Sequence, residues 1–318
     1  MMVEHHIVTE EDDDIRIDRW FKRHHPNLPF GQVAKLLRTG QVRLDGKRVD
    51  ASDRIHTGQS IRLPPGHLLE APPAYQKPDA ARKQAALNLK PLILYENESI
   101  IAINKPQGLA TQGGSGVKTS IDDYLKNYNE EHGLKLKLIH RLDKDTSGLL
   151  ILAKGAKYAD QWMKQFQSKS VEKTYVAILC GYPSKPSGVL KFPLLKMTIR
   201  GQEKMAVHEE GQKAETEYEI IDHVGKNLSL AILTPRTGRT HQLRVHCAHI
   251  GHPILGDGKY GGDIEQGLGQ KFKLHLHAWK ISILNPKPLT ISAPLPQEFL
   301  NTCKEFGLDD SLFKPRRK

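Results

Sequence analysis

Proline punctuation constrains this chain more than any other sequence feature. Pro64, Pro65, Pro72, Pro73, Pro78 and Pro91 fall in a stretch with little apolar periodicity. Each lacks a backbone donor and fixes φ, so neither a helix nor an interior strand runs through the segment. Residues 64–91 therefore read as a linker, and the 318 residues as a short folding unit followed by a long one. No run of about 18 apolar residues occurs on either side, which excludes a transmembrane helix. Cys180, Cys247 and Cys303 are odd in number and far apart, which argues against a disulfide framework or a zinc knuckle. The first six residues, followed by the acidic run 10–14, have the wrong chemistry for a presequence. Together these features point to the cytoplasm.

Ahead of the linker, residues 14–63 read as a small α/β module. Ile17, Trp20 and Phe21 recur at i, i+3 and i+4, with Arg16, Arg19, Lys22 and Arg23 on the other faces. That spacing predicts an amphipathic helix, capped by Asp14 and stopped at Pro26. A second helix after Pro29 buries Val33, Leu36 and Leu37, exposes Lys35 and Arg38, and ends at Gly40. Asp45-Gly46 between the strand-like 42–44 and 47–49 predicts a type I′ hairpin, with a last strand at 60–63. From 92 to 300 strand signals dominate, at 99–103, 134–139, 149–153, 174–179, 214–221, 228–233 and 272–283, with helices near 120–128 and 158–168. Several strands before each helix, without βαβα regularity, predict an α+β domain on a mixed, mainly antiparallel sheet. Residues 301–318 read as a C-terminal tail, whose last five residues, Lys314 to Lys318, are basic and expected to fray. Trp20, Trp162 and Trp279 read as packing residues.

Lysine and arginine number 47 against 36 aspartates and glutamates, a net charge of +11. Such an excess favours a polyanion such as nucleic acid, although charge alone fits a merely basic protein equally well. The run from His140 to Gly148 lies between two strand-like segments, and a loop on a rigid scaffold is where a reactive group is presented. Asp143 has cationic sequence neighbours that favour its ionised form, as nucleophile or base. Asp143 with Asp145 is also compatible with a glycosidase carboxylate pair or with a polar turn, because their spacing in a loop fixes no separation. His246 and His249 share a helix face, but His241 does not join them, and nothing fixes a third ligand for His275 and His277. No metal site is expected there. The loop 113–118 lacks the full Walker spacing.

The run His140-Arg141-Leu142-Asp143, followed by Asp145-Thr146-Ser147-Gly148, closely resembles the active-site motif of the RluA-type pseudouridine synthases. Three more segments resemble family motifs in the same order: Asn104-Lys105-Pro106 with Gly108, Lys173-Thr174-Tyr175, and Gly238-Arg239-Thr240-His241-Gln242-Leu243-Arg244. Residues 14–63 resemble the S4 RNA-binding domain that many members carry. The stretch Gln112-Gly113-Gly114-Ser115-Gly116 is similar to the RluC subgroup. The RluD type shares the other motifs but usually has a His-Pro-Gly-Ala-like stretch there.

The resemblance implies isomerisation of uridine to pseudouridine in 23S ribosomal RNA, without a cofactor, by a monomer acting during large-subunit assembly. It implies that Asp143 is the essential carboxylate and that Tyr175 stacks on the uracil, near where C5 is deprotonated. Arg244 then pairs with Asp143, and Arg141 enters the RNA in place of the flipped base. Further RNA contacts are expected from Lys105 and Arg239 and, in the S4-like module, from Arg19, Lys35 and Arg38. In the last motif Thr240 is expected to cap a helix through Ile250, with Leu243, Cys247 and Ile250 buried and Arg244 facing a cleft. Phosphates are expected at that helix N-terminus, helped by Arg236 and Arg239. The alternatives are a synthase of the RluD type and a non-catalytic ribosome-assembly factor that keeps the fold.

Overall fold

The computed structural model describes residues 4–26, 28, 30–66, 89–114, 117, 119–168, 170–199, 201–261, 271–283 and 288–313. Most of the expected linker (67–88), Ser115, Gly116 and the terminal 314–318 lie outside the described residues. The chain forms two compact units, 1–85 and 86–318.

The first unit has its own core. Ile17, Trp20 and Phe21 from helix α1 (Ile17–His24) pack with Val33, Leu36 and Leu37 from α2 (Phe30–Arg38), as the spacing predicts. The expected cap is corrected: Asp14 stands outside the helix with φ 55°, its carboxylate and carbonyl both accept from Arg54 Nη1, and the N-cap is Arg16, whose guanidinium bonds Asp18 and caps no backbone amide. Five strands accompany the helices: β1 (Glu4–Ile7), β2 (Ile15–Arg16), β3 (Arg43–Leu44), β4 (Arg54–Ile55) and β5 (Ser60–Leu63). Asp45 and Gly46 take positive φ (49° and 76°), the type I′ signature. Residues 47–49 nevertheless form no strand, because β3 pairs with β5, whose other edge takes β1. β1 precedes the expected start at residue 14, and its mostly exposed side chains gave no apolar alternation to announce it.

The second unit contributes β6 (Ile93–Glu96), β7 (Ile100–Lys105), β8 (Leu136–Leu138), β9 (Ser147–Lys154), β10 (Val171–Cys180), β11 (Ser187–Leu190), β12 (Leu194–Ile199), β13 (Gln202–Val207), β14 (Thr216–Val224), β15 (Leu228–Pro235), β16 (Leu276–Ile283) and β17 (Leu289–Ser292). β12 and β13 form a separate hairpin; among the described residues the others make a ten-stranded sheet ordered β11-β14-β15-β10-β16-β9-β7-β6, with β17 on β16 and β8 on β9. Every pairing is antiparallel except that of β9 with β16. The α+β reading with a mixed, mainly antiparallel sheet holds.

Among the described residues four helices support this sheet: α3 (Ile121–His132), α4 (Ala156–Gln167), α5 (Gln242–His249) and α6 (Gln297–Phe306). Ser120 and Asp123 form a capping box on α3. The unbroken apolar run of β9 is buried on both faces: Leu149 and Ile151 pack with Trp162 of α4, and Leu150 and Leu152 with Ile121 and Leu125 of α3. The expected tail is corrected as well. Residues 301–313 contribute Cys303, Leu308 and Phe313 to a core with Val176 and Ile178 of β10.

Candidate active site

Asp143 sits on the loop between β8 and β9, and that loop is fixed by backbone contacts on both flanks. The Thr111 hydroxyl donates to the Leu142 carbonyl (2.7 Å) and accepts from the Leu142 amide (3.1 Å). The Gln107 side-chain amide donates to the carbonyls of Asp145 and Leu274. Lys105, expected to contact RNA, is instead fully buried: its Nζ donates to the carbonyls of Pro106, Leu109 and Lys144. Burial lowers its pKa to about 8. It fastens the first motif to the Asp143 loop from beneath. Gly148 follows at the start of β9 with φ 111°, and a Cβ there would lie 2.3 Å from the Ala278 carbonyl oxygen. Only glycine lets β9 approach β16 this closely.

Arg244 lies in the first turns of α5. Its short bonds go to a second carboxylate, Nε and Nη2 to both oxygens of Asp257 (2.8 and 2.6 Å), while Nη1 makes the expected ion pair with Asp143, 3.8 Å from Oδ2. Burial disfavours the charged guanidinium, but hydrogen bonds and charge from Asp257 outweigh it and raise the pKa of Arg244. Asp257 is itself held by the amides of Lys259 and Tyr260. Next to it, Gly256 has φ 79°, and a Cβ there would lie 1.9 Å from the Lys273 carbonyl oxygen. Sequence reading missed Asp257; the one signal was an acidic residue in a Gly-Asp-Gly turn, which loop chemistry explains equally well.

The helix start also departs from expectation. The N-cap of α5 is His241, in the left-handed region (φ 53°), with no side-chain cap from Thr240, and Ile250 lies beyond the helix. His241 Nδ1 meets the Tyr260 hydroxyl at 2.7 Å, and its Nε2 lies 3.8 Å from Asp143 Oδ2. Burial lowers the His241 pKa against the pull of Asp143. Tyr260 places its ring under Arg244, 5.2 Å from ring centre to guanidinium carbon. Arg236, expected to help hold phosphate, is engaged by Glu217 and Glu172.

Asp143, Tyr175 and Arg244 line one cleft of about 1040 Å³, together with Arg141, Arg239 and His241. Tyr175 projects from β10, where the pairing with β16 shifts register after Thr174. Burial, then the charge of Asp143, pushes its phenol above the ordinary value. Arg141 is exposed and borders a second cleft of about 900 Å³ that shares Asp143 and Arg244. Arg239 is exposed, with Nε donating to the Lys213 carbonyl. Arg19, Lys35 and Arg38 are exposed on α1 and α2 of the first unit. The histidines considered as ligands have other partners: His246 bonds Thr216 and Phe192, His275 bonds Lys273 and Thr302, and His277 bonds Ser147 and Ala293.

A family profile described as RNA pseudouridylate synthase matches residues 99–249. The ribosomal large subunit pseudouridine synthase C of Buchnera aphidicola subsp. Schizaphis graminum is 34% identical over 92% of this chain and 94% of its own length. That of Rickettsia felis is 37% identical over 91% and 96%. Among solved structures, human RNA pseudouridylate synthase domain containing 4 superposes with a TM-score of 0.59 at 29% identity, covering 70% of this chain and 95% of that one.

Proposed function

The chain belongs to the RNA pseudouridylate synthase family, and from that premise we propose that it converts uridines of large-subunit (23S) ribosomal RNA to pseudouridine, as a synthase of the C type. The curated relatives that span nine-tenths of the chain carry the name ribosomal large subunit pseudouridine synthase C. The observation that carries the reading is the meeting of Asp143, Tyr175 and Arg244 in one cleft. The reaction breaks the N1–C1′ bond of a uridine, forms C5–C1′, and exchanges the C5 proton for one on N1. Oxidation state and composition are unchanged, so protein side chains suffice as the reagents.

The target base must leave its stack to be reached. We assign Asp143 as the group that acts on the extruded nucleoside, as nucleophile or as base. Arg244, held by Asp257, orients it through Nη1. Tyr175, a phenol whose surroundings favour its protonated form, supplies a stacking face rather than a resting base. Arg141, exposed between the two clefts, is suited to fill the gap left in the RNA, because a planar guanidinium both stacks and hydrogen-bonds. Arg239 on the cleft, and Arg19, Lys35 and Arg38 on an S4-like first unit, supply phosphate contacts. The protein acts as a monomer in the cytoplasm, on RNA of the assembling large subunit.

Asp143→Asn is expected to fold and to bind 23S fragments with unchanged affinity while forming no pseudouridine in a single-turnover assay. Turnover by that variant removes Asp143 from the chemistry. A wild-type chain that binds RNA without turnover identifies an assembly factor instead.

A further inference from the structure

Outside the cleft, the first unit gathers two imidazoles and a carboxylate that the synthase reading does not use. His6 comes from β1, Asp12 from the 3-10 turn Glu10–Asp12, and His24 from the last residue of α1. One ligating atom of each lies within 4.8 Å of the others. Asp12 is 2% exposed; burial opposes its charge, but hydrogen bonds from His24 Nε2 (2.6 Å) and Arg23 Nη1 (2.5 Å) outweigh this and hold its carboxyl below the usual range. The hydrogen bonds of Arg23 and His24 to Asp12 account for those contacts and leave His6 Nε2, which is buried, without a hydrogen-bond partner among the described residues. Trp20 fixes both rings, stacked on His24 with centroids 4.6 Å apart and edge-on to His6 at 4.8 Å.

We propose that His6, Asp12 and His24 form a zinc(II) site, with water as the fourth ligand. Two imidazole nitrogens and one carboxylate oxygen suit a borderline-soft divalent cation, whereas magnesium and calcium take oxygen ligands. Arg23 on the far oxygen orients the carboxylate, as outer-shell partners of metal ligands do. The His24 side chain is 32% exposed, which leaves a side open for the ion and its water. Zinc–ligand bonds of about 2.0–2.1 Å place tetrahedral ligands about 3.4 Å apart. The ion therefore opens the His24–Asp12 contact and draws His6 inward. The bound ion ties β1 to α1, adding a bonded link to the ring contacts His6 already makes with Trp20 and His24.

The test uses the full chain freed of metal by a chelator, titrated with zinc chloride in a calorimeter and with cobalt(II) to read coordination geometry from its absorption. Expected are one zinc per chain, a tetrahedral cobalt spectrum, and a melting temperature raised by zinc. His6→Ala and His24→Gln, each checked for fold by circular dichroism, should each weaken binding at least tenfold and abolish the melting shift. Absence of saturable binding up to millimolar zinc overturns the site. Unchanged affinity in either variant also overturns it, because the three-ligand assignment requires both histidines. None of these outcomes depends on synthase activity.

Discussion

At the residue scale, the site turns on one carboxylate that supports another group's charge. Arg244 gives its two short bonds to Asp257, not to Asp143. Removing one partner of a buried pair leaves the other uncompensated, at a cost of about 3–5 kcal/mol. Asp257→Asn should therefore melt well below wild type. At temperatures where it remains folded, it should form pseudouridine at least tenfold more slowly, with RNA affinity largely kept. Melting curves and single-turnover rates check both expectations. Asp143 and Arg244 were legible in the sequence because their motifs are long and ordered. Asp257 was not, because a lone acidic residue between glycines carries the same local pattern whether it caps a turn or anchors a buried guanidinium.

At the element scale, legibility followed the strength of the local signal. The run of β9 and the spacing in α1 and α2 reported their partners directly, through apolar residues on both faces or on one stripe. The part of α6 beyond residue 300 was read as tail because its apolar residues are interrupted by polar ones and acquire meaning only against β10. Strand 47–49 was lost because a turn fixes where the chain reverses, not which strand takes the free edge. Gly148 of β9 comes close against β16. Gly148→Ala combines a strained φ with a clash against Ala278 and should cost about 3 kcal/mol or more. Gly133→Ala, also at positive φ (62°) but with nothing within 4 Å, should cost only about 1 kcal/mol. Urea denaturation of the two variants measures the difference.

At the scale of the whole molecule, charge and buried imidazoles govern the response to solvent. Replacing Arg19, Lys35 and Arg38 together with glutamine should weaken binding to ribosomal RNA and lower the slope of log affinity against log salt by about 2–3. Because all three are exposed, the melting temperature should stay within a degree or two; an unchanged salt slope would mean that these side chains contact no RNA. Burial lowers the pKa of His277 from 6.5 to about 4 and that of His140 to about 3. Below pH 6.5 the unfolded chain takes up protons that the folded one refuses, so stability falls with pH, by about 3 kcal/mol for His277 as the pH reaches 4. His277→Gln should flatten that acid limb in equilibrium unfolding measured between pH 7 and pH 4.

The order of strands adds a temporal constraint. β8 and β9, beside β7 and β6, carry the Asp143 loop, while β10, beside β15 and β14, carries Tyr175; among the described residues β16 is the strand whose pairings join the two halves of the sheet. Ser147 finds its partner His277 across 130 residues of sequence. During translation, then, a polypeptide that has not yet extended past β16 holds its reactive groups on two unjoined half-sheets. Products truncated before β16 are therefore expected to form no pseudouridine in a single-turnover assay, whatever phosphate contacts their first unit makes.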